Sequence, residues 1–275
     1  MNANYSEDRN IDNPERMILM IYNDPRKISY SLYDPKRSVF SLFKELSPKN
    51  QSDSLSAFKE AFSDSDFFSL PFRKIWIMNR TPAFTFIPKS IYKDKYKEDF
   101  IRFLFSDHRG ITMDHSISSA GITVLYQMPN EAYEFMTRSF DEPSLIHYSA
   151  PMITYFFMQS KKINNRQMVV NLQDNGVDIF CFSKKTFLFG NYFSCNNLHD
   201  AFYYIIFTWK QLQLNQLDDL LLVAGNAVYK EELIERLTPY LQQIQQLTIS
   251  PDICSDGIDI NQIPFELAAL SLCEL

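Results

Sequence analysis

The sequence predicts an α/β fold in which a three-layer architecture with mixed β-sheets occurs twice. Its length of 275 residues exceeds the ~100–200 residues of a typical single domain. Each half contains two or three successive strand patterns, followed by helices that alternate with buried strands. Because this alternation places helices on the faces of a sheet, we predict two α/β halves, residues 17–162 and 163–275.

The first half is predicted to begin with two strands, after a polar segment of residues 1–16 for which we expect disorder. The stretches 17–22 and 27–34 are rich in apolar and aromatic residues, and the segment 23–26 between them has the composition of a turn. The next apolar stretch, 38–46, fits either a third strand or a short apolar segment.

The rest of the first half is predicted to alternate helices with strands. Leu55, Phe58 and Phe62 have the spacing of an amphipathic helix, which we place at 52–64. Pro129 favours the first turn of a helix that extends to about Phe140. The remaining patterns predict apolar strands over 73–79 and 144–149, a hairpin over 112–129, and an apolar helix that begins at Pro151.

The second half is predicted to repeat this order. Three strands over 166–173, 177–183 and 186–194 are joined by tight turns, and the first turn carries Asp174-Asn175-Gly176, residues typical of positive φ at Asn and Gly. The later patterns predict a long helix over 196–214, a buried strand over 218–225, a helix over 228–245, a short strand over 247–250 and a closing apolar helix over 260–275.

The charge is divided unevenly between the two halves. Residues 1–162 carry 21 Lys and Arg against 20 Asp and Glu, whereas residues 163–275 carry 6 against 13, a difference of −7. Such an acidic half does not favour nucleic acid as a partner, because affinity for the phosphate backbone depends on Lys and Arg. The basic residues of 89–97 are interleaved with acidic ones and are interpreted as a solvated helix face.

The sequence favours a cytoplasmic protein that does not insert into a membrane. Neither the polar N-terminal segment nor any later stretch has the apolar run expected of a signal peptide or a membrane span. The cysteines form no CxxC pair, which favours free thiols over a zinc site or a disulfide framework. They are Cys181, Cys195, Cys254 and Cys273.

Common catalytic motifs are absent from the sequence. It contains no GxxxxGK[ST] phosphate loop, no GxGxxG fingerprint, no GxSxG elbow and no HExxH helix. Asp114, His115 and Ser116 are predicted to lie on a strand, where adjacent side chains point to opposite faces and cannot form a triad. The four scattered histidines indicate no metal site.

Three stretches carry a resemblance to a known superfamily: LMIYNDPRKISYSLYD at 19–34, VVNLQDNGVDIFCF at 169–182 and LLLVAGNAVYKEELIERL at 220–237. Together with the duplicated order of elements, they resemble the actin-like (ribonuclease H-like) ATPase fold. This fold is shared by actin, the sugar kinases, the seventy-kilodalton heat-shock chaperones and bacterial pilus-assembly or division proteins. More closely, about residues 17–275 look like an uncharacterised bacterial family of unknown function with this fold.

The resemblance implies where a nucleotide would bind. In the superfamily, the first hairpin of each half presents an Asp-x-Gly loop, whose N–H groups contact phosphate and whose Asp binds hydrated magnesium. Here Asn171 stands in place of the Asp and Gln173 in place of the first Gly, and Pro25 removes a donor from a first-half turn that has no Gly. The adenosine-binding Gly-Gly turn keeps Gly225, and Asn226 replaces its second Gly.

These departures predict a non-catalytic binding or scaffold protein with a degenerate nucleotide cleft. We expect no catalytic residue, metal site or bound cofactor, and protein partners that contact the acidic second half or an exposed aromatic surface. The sequence leaves the partner and the oligomeric state open. The residues at the positions equivalent to the cleft are Asn171, Gln173, Asp178, Gly225 and Asn226.

Two alternatives fit the same residues. The first is an ATP-binding ATPase or kinase-like protein with unusual phosphate loops, in which Asp178 or Asp24 supplies the carboxylate that faces magnesium. The second is a pilus- or division-type adaptor that binds nucleotide only to fix the angle between its domains.

Overall fold

The computed structural model describes residues 11–46, 54–105, 110–173, 175–225, 227–247, 249 and 254–273, which form a mixed α/β fold. The strands are β1 (Ile18–Asp24), β2 (Lys27–Asp34), β3 (Val39–Leu46), β4 (Lys74–Asn79), β5 (Phe84–Pro88), β6 (Gly110–Ile117), β7 (Ile122–Pro129), β8 (Ser144–His147), β9 (Gln167–Gln173), β10 (Gly176–Ser183), β11 (Thr186–Ser194), β12 (Leu220–Gly225), β13 (Gln243–Gln246) and β14 (Cys254–Ser255). The helices are α1 (Ser54–Asp64), α2 (Lys97–Leu104), α3 (Asn130–Ser139), α4 (Ser149–Ser160), α5 (Leu198–Gln211), α6 (Lys230–Leu237) and α7 (Phe265–Leu272).

The first large sheet has the strand order β14-β3-β2-β1-β4-β8. β1, β2 and β3 form an antiparallel meander, and β4 and β8 continue parallel to β1. The first hairpin turn is tight because Asp24 pairs with Lys27, and the Asp24 carboxylate accepts a hydrogen bond from the Arg26 N–H at 2.9 Å. Helices α1 and α3 pack on one face of this sheet and α7 on the other, which gives three layers.

The second large sheet repeats this topology with the order β11-β10-β9-β12-β13. β9, β10 and β11 form the antiparallel meander, and β12 and β13 run parallel to β9. Helices α5 and α6 cover one face, and α4 covers the other. β1 and β9 therefore occupy equivalent positions, as do β3 and β11 or β4 and β12, and the predicted duplication of a mixed-sheet α/β unit is confirmed.

A third, three-stranded sheet with the order β5-β7-β6 extends the first half. β6 and β7 form the predicted hairpin around a short 3₁₀ helix, Ser118–Ala120. Val124 and Tyr126 of β7 are fully buried in a core shared with α4 and with Phe180 and Phe182 of β10. The small sheet thereby connects to the second half through one apolar cluster.

The last described residues lie against the sheet of the first half. β14 adds to its edge, because Cys254 and Ser255 pair with Val39 and Phe40 of β3. Leu267 and Leu270 of α7 are in the core cluster that contains Met20 of β1. The boundary between residues 162 and 163 stays a prediction. The structure adds that β14 and α7, which follow this boundary in the sequence, pack against the sheet of the first half.

One helix prediction is wrong. The helix expected over 228–245 ends at Leu237, two residues before Pro239, which lacks the N–H that would continue it. A strand lies at Gln243–Gln246, where it pairs with β12. Of the short strand expected over 247–250, residues 248 and 250 lie outside the described residues, and Leu247 and Ile249 belong to no strand. The ambiguous stretch 38–46 contains a strand, β3.

The second hairpin differs from its predicted turn at one residue. Gly176 begins β10 opposite Gln173 and is not in the left-handed region, and Asp174 lies outside the described residues. Glycine is needed there because a Cβ would lie 2.3 Å from the Tyr192 ring. Within the segment 1–16, for which we expected disorder, Pro14–Arg16 form a short 3₁₀ helix, and residues 1–10 are outside the described ones.

None of the helices in the described part of the chain combines the length and the apolar character that crossing a membrane requires.

Candidate functional site

A buried polar cluster lies where the two large sheets meet. Arg80 follows β4 and Tyr148 follows β8, so both lie at the carboxyl ends of neighbouring parallel strands. The second half contributes Asp178 from β10, and Glu266 comes from the first turn of α7. The exposed fraction of these four residues is between 0% and 8%, so the cluster is closed to solvent. We call these residues, together with Asp24, Tyr22 and Asn171, the Arg80 cluster.

Arg80 is the centre of this cluster. Its two terminal nitrogens, Nη1 and Nη2, donate to the carboxylate oxygens of Asp178 at 3.1 and 3.3 Å, a bidentate geometry. Nε lies 3.4 Å from Asp24 Oδ2, and Nη1 lies 3.9 Å from Glu266 Oε1. The guanidinium also stacks over the Tyr148 ring, 4.4 Å from its centroid. One cation therefore joins three carboxylates that are far apart in the sequence.

The electrostatics of the cluster keep Arg80 charged and the tyrosines neutral. Burial is the largest influence and opposes the charged form of Arg80, but the neighbouring groups, Asp178 foremost among them, together outweigh it, and the pKa of the guanidinium is raised above its usual value. Burial, followed by the charge of Asp178, raises the pKa of the Tyr148 hydroxyl, which donates a short hydrogen bond to Asp178 Oδ1. Burial, followed by the charge of Glu266, raises the pKa of Tyr22.

Glu266 is held by donors from both halves. Its Oε1 accepts hydrogen bonds from Asn171 Nδ2 at 2.9 Å, from Gln173 Nε2 at 3.2 Å and from the Tyr22 hydroxyl at 3.2 Å. Asn171 Nδ2 also lies 3.2 Å from Asp178 Oδ2. The amide of Asn171 thus donates to two carboxylates, whereas an ionised aspartate at this position would have no donor and would add a third negative charge.

Cavities lie on either side of the Arg80 cluster. The larger has a volume of about 700 Å³, and Arg26, Lys27 and Lys230 bring positive charge to it. Its apolar wall comes from β3 and the C-terminal segment, through Phe43, Leu247, Ile249, Ile263, Pro264 and Phe265. The smaller cavity, about 200 Å³, lies on the side of the first hairpin turn and Tyr192. All three basic side chains of the larger cavity are partly engaged. Arg26 Nε lies 3.6 Å from Asp24 Oδ1, Lys27 Nζ bonds Glu45 at 2.6 Å, and Lys230 Nζ bonds the Gly225 carbonyl at 3.3 Å.

Gly225 is required by the packing of two strands. It has a φ of 91°, and a Cβ at this position would lie 2.0 Å from the carbonyl oxygen of Leu172 on β9. Both the left-handed conformation and the close approach of the backbone exclude a side chain. This strand contact accounts for the glycine without any ligand.

The predicted cleft residues are brought together only in part. Asn171, Gln173 and Asp178 meet within the Arg80 cluster, and Gly225 lies at the wall of the larger cavity. Asn226 lies outside the described residues. The alternative metal-facing carboxylates, Asp24 and Asp178, both contact Arg80.

The central residues of the cluster were missed by the reasoning from the sequence. Arg80 follows the buried strand KIWIMN, and a charge directly after such a strand is a usable signal. Glu266 is the one charged residue within the apolar helix FELAALSL, which is a second signal. Within the described part of the chain, no group of three or more His, Cys, Asp or Glu side chains has an arrangement that could hold a metal ion.

Known structures identify the class of fold. A Bacteroides thetaiotaomicron protein with an actin-like ATPase fold and unknown function superposes with a TM-score of 0.85 at 23% identity, over 96% of this chain and all of that one. A structure of the PilM-PilN type IV pilus biogenesis complex matches with a TM-score of 0.60 at 9% identity, over 93% of this chain and 97% of that one. This chain therefore has the actin-like ATPase fold, as predicted.

The family follows from the sequence itself. Residues 6–244 match the model of the family described as "Protein of unknown function (DUF3822)", so the chain belongs to that family. The predicted membership of an uncharacterised family with an actin-like fold is confirmed. No curated protein matches the sequence.

Proposed function

We propose that this protein is a non-catalytic binding or scaffold protein whose nucleotide cleft is degenerate. The observation that carries the proposal is the position of Arg80, bidentate on Asp178 and 3.4 Å from Asp24. In the ATPase alternative, one of these two carboxylates would face the magnesium ion of a bound nucleotide. Because the Arg80 guanidinium already lies between them, a second cation would have to displace a group that burial and bidentate bonds hold in place.

The phosphate loops support the same proposal. Asn171 and Gln173 replace the aspartate and glycine of an Asp-x-Gly loop, and both side chains are directed to Glu266. Pro25 in the first hairpin turn supplies no N–H for a phosphate oxygen. Neither hairpin therefore offers the combination of negative charge and bare backbone that Mg²⁺ and phosphate require together.

A thermal-shift titration with ATP and MgCl₂ tests the proposal. We expect no saturable, magnesium-dependent rise in the unfolding temperature and no hydrolysis of ATP. A clear magnesium-dependent shift would overturn the proposal. If a shift is seen, Lys230→Ala shows whether the nucleotide binds in the larger cavity, because Lys230 lines it. A substitution of Gly225 is unsuitable, because it would disturb β9 whether or not a nucleotide binds.

The second candidate is a nucleotide-binding ATPase or kinase-like protein with unusual loops, and the cavity of about 700 Å³ favours it. This volume lies within the range of about 300–1,000 Å³ typical of small-molecule sites. Arg26, Lys27 and Lys230 would contact phosphate there without a metal. Binding of ATP that is unaffected by EDTA and lost in Lys230→Ala would favour this candidate over the first.

The adaptor alternative differs from the scaffold proposal in that the protein binds nucleotide without hydrolysing it. The PilM-PilN complex is an assembly of a protein with this fold and a partner, and it supports a search for a polypeptide partner rather than a substrate. Nucleotide binding without hydrolysis would point to an adaptor that uses nucleotide to fix its domain angle.

We propose a cytoplasmic location, supported by the free thiols of Cys181, Cys195 and Cys273.

A further inference from the structure

Strand β11 forms an open edge of the second large sheet. It is the last strand in the order β11-β10-β9-β12-β13, and within the described residues it pairs with β10 alone. Its equivalent in the first half, β3, lies inside its sheet because β14 pairs with Val39 and Phe40. The two halves thus differ at this position: among the described residues, one edge is paired with a further strand and the other is not.

β11 lacks the features that usually protect an edge strand. Its nine residues, TFLFGNYFS, include no charged residue and no proline, whereas edges of soluble proteins are commonly short or carry lysine or proline. The opposite edge of the same sheet, β13, is only four residues long. The register of β10 and β11 shifts once, near Leu188, and is regular from Phe189 to Ser194. A regular stretch of edge is therefore available for pairing.

The backbone groups of this edge can be assigned by their alternation. The Cys195 N–H donates to the Asn175 carbonyl at 3.1 Å, which makes this a hydrogen-bonded pair. Since hydrogen-bonded and non-hydrogen-bonded pairs alternate along an antiparallel ladder, Gly190, Tyr192 and Ser194 direct their N–H and C=O groups away from β10. These groups are where a further strand would bond.

A strip of aromatic side chains lies beside this edge. Phe189 and Phe193 of β11 have ring centroids 6.4 Å apart, and Phe193 stacks on Tyr204 of α5 at 4.5 Å. Tyr203 continues the strip, because its ring centroid lies 5.5 Å from that of Tyr204 and 5.6 Å from that of Phe207. The exposed fractions of Tyr203 and Phe207 are 58% and 44%, which is high for stacked aromatic rings. We call these five residues the aromatic strip.

We propose that the protein forms a two-fold symmetric dimer in which β11 pairs antiparallel with β11 of a second copy. This inference is independent of the proposed function, because it uses neither the cleft nor its cavities. The axis would lie within residues 190–192, so the outward-facing groups of Gly190 and Tyr192 bond across it. The two five-stranded sheets would become one continuous sheet, and the two aromatic strips would meet on its α5 face.

Charge complementarity favours a second copy as the occupant. Lys184 and Lys185 form the exposed turn before β11, and Asp200 is exposed in the first turn of α5 after it. An antiparallel two-fold pairing brings the lysine turn of one copy beside Asn197 and Asp200 of the other, at both ends of the paired strands. Residues 184–200 carry two lysines and one aspartate, so the acidic excess of the second half lies away from this edge.

Sedimentation equilibrium and light scattering of the full chain test the proposal. We expect a mass twice that of the 32.3 kDa chain. Asn191→Lys places two like charges close to the axis on exposed side chains and should raise the dissociation constant at least about tenfold. Gln243→Lys, which adds the same charge to the exposed edge strand β13, should leave the mass unchanged. Circular dichroism checks that each variant is folded.

A charge exchange distinguishes self-association through this edge from any other dimer. Lys185→Glu should weaken the dimer, and the double variant Lys185→Glu/Asp200→Lys should restore it. A wild-type chain that stays monomeric into the range of hundreds of micromolar would overturn the proposal. So would a dimer that Asn191→Lys does not weaken, since it would use another surface. If Asn191→Lys does not fold, the failure of Lys185→Glu to weaken the dimer, or of the double variant to restore it, decides against the proposal.

Discussion

The two halves of the molecule share a topology but place different residues at its equivalent points. After the central parallel strand, the first half has Arg80, whereas the second half has Gly225 at the end of β12. Arg80 extends into the crevice and gathers Asp24 and Asp178, whereas Gly225 packs against Leu172 and leaves a cavity beside it. The crevice between the two sheets is therefore filled by the Arg80 side chain and its carboxylate partners at one point, and contains the cavity of about 700 Å³ beside Gly225.

If the cleft is degenerate, as we propose, this difference shows how the fold can lose one ligand site and keep its shape. A crevice between two rigid sheets must be filled by a ligand or by side chains, because buried carboxylates without partners are costly. Here the chain provides its own cation from the first half and its own amide donors, Asn171 and Gln173, from the second. The space that remains is bounded by basic and apolar side chains.

Removing the closing cation should have the largest effect. Arg80→Met leaves the carboxylates of Asp24, Asp178 and Glu266 buried without their cation, and we expect a loss of about 3–5 kcal/mol in the free energy of unfolding. Urea unfolding followed by circular dichroism measures it. Arg73→Met, which removes an exposed arginine just before the same strand, is the matched control and should change stability by no more than about 0.5 kcal/mol. Equal effects of the two substitutions would refute the central position of Arg80.

Adding a side chain at Gly225, at the end of β12, should have the next largest effect on stability. Gly225→Ala combines a φ of 91° with a contact of 2.0 Å to the Leu172 carbonyl, and we expect a loss of more than about 2 kcal/mol. Gly121→Ala is the control, because Gly121 has a φ of 68° with nothing within 4 Å of its Cβ position, and should cost about 1–2 kcal/mol. The difference between the two variants measures the strand contact alone.

A pH dependence of stability should reveal the buried histidine behind the Arg80 cluster, His147. Burial lowers the pKa of His147, so the folded state holds the neutral imidazole, whose Nδ1 lies 2.6 Å from Ser149 Oγ. Because the pKa of His147 in the folded protein lies below the unfolded value of about 6.5, its contribution to the free energy of unfolding is fully present above about pH 6.5. This contribution is lost as the pH falls, by up to about 1.4 kcal/mol per pH unit.

Unfolding of the wild type and of His147→Asn at pH 7.5 and pH 5.0 checks this. We expect a shallower loss of stability with falling pH in the variant than in the wild type. A His147→Asn variant with the same slope as the wild type would show that His147 is protonated in the folded protein.

The smallest effect is expected in the open cavity. Lys230→Ala removes one hydrogen bond of 3.3 Å to the Gly225 carbonyl on a partly exposed side chain, and stability should change by no more than about 0.5 kcal/mol. The same unfolding measurement serves. A loss comparable to that of Arg80→Met would mean that this side of the crevice is also closed by a cation.

The order of strands and helices could be predicted from the sequence because local patterns specify it. The meander of each half, the alternation that follows and the hairpins depend on periodicity and on turn residues within a few positions. The pattern was insufficient at 228–245, where a run of glutamines with good helix propensity follows Pro239, and pairing with β12 makes part of it a strand.

For the candidate site, the sequence could predict only which residues of the superfamily's phosphate loops are replaced, and not the contacts that the replacing residues make. Asn171 and Gln173 showed which loops had changed, but the partners that replaced the missing groups are distant in sequence. Arg80 and Asp178 are 98 positions apart, and Tyr22 and Glu266 are 244 positions apart. No local pattern encodes such contacts, because they arise only when the two sheets meet and α7 returns to the first one.

Binding of Mn²⁺ in the presence of ATP, followed by electron paramagnetic resonance, tests most directly whether Arg80 has taken the place of a metal-bound nucleotide. Because Arg80 lies between the carboxylates of Asp24 and Asp178, the wild-type protein should leave the signal of Mn²⁺·ATP unchanged. A saturable, protein-bound Mn²⁺·ATP species at one equivalent per chain would contradict a closed, non-catalytic cleft.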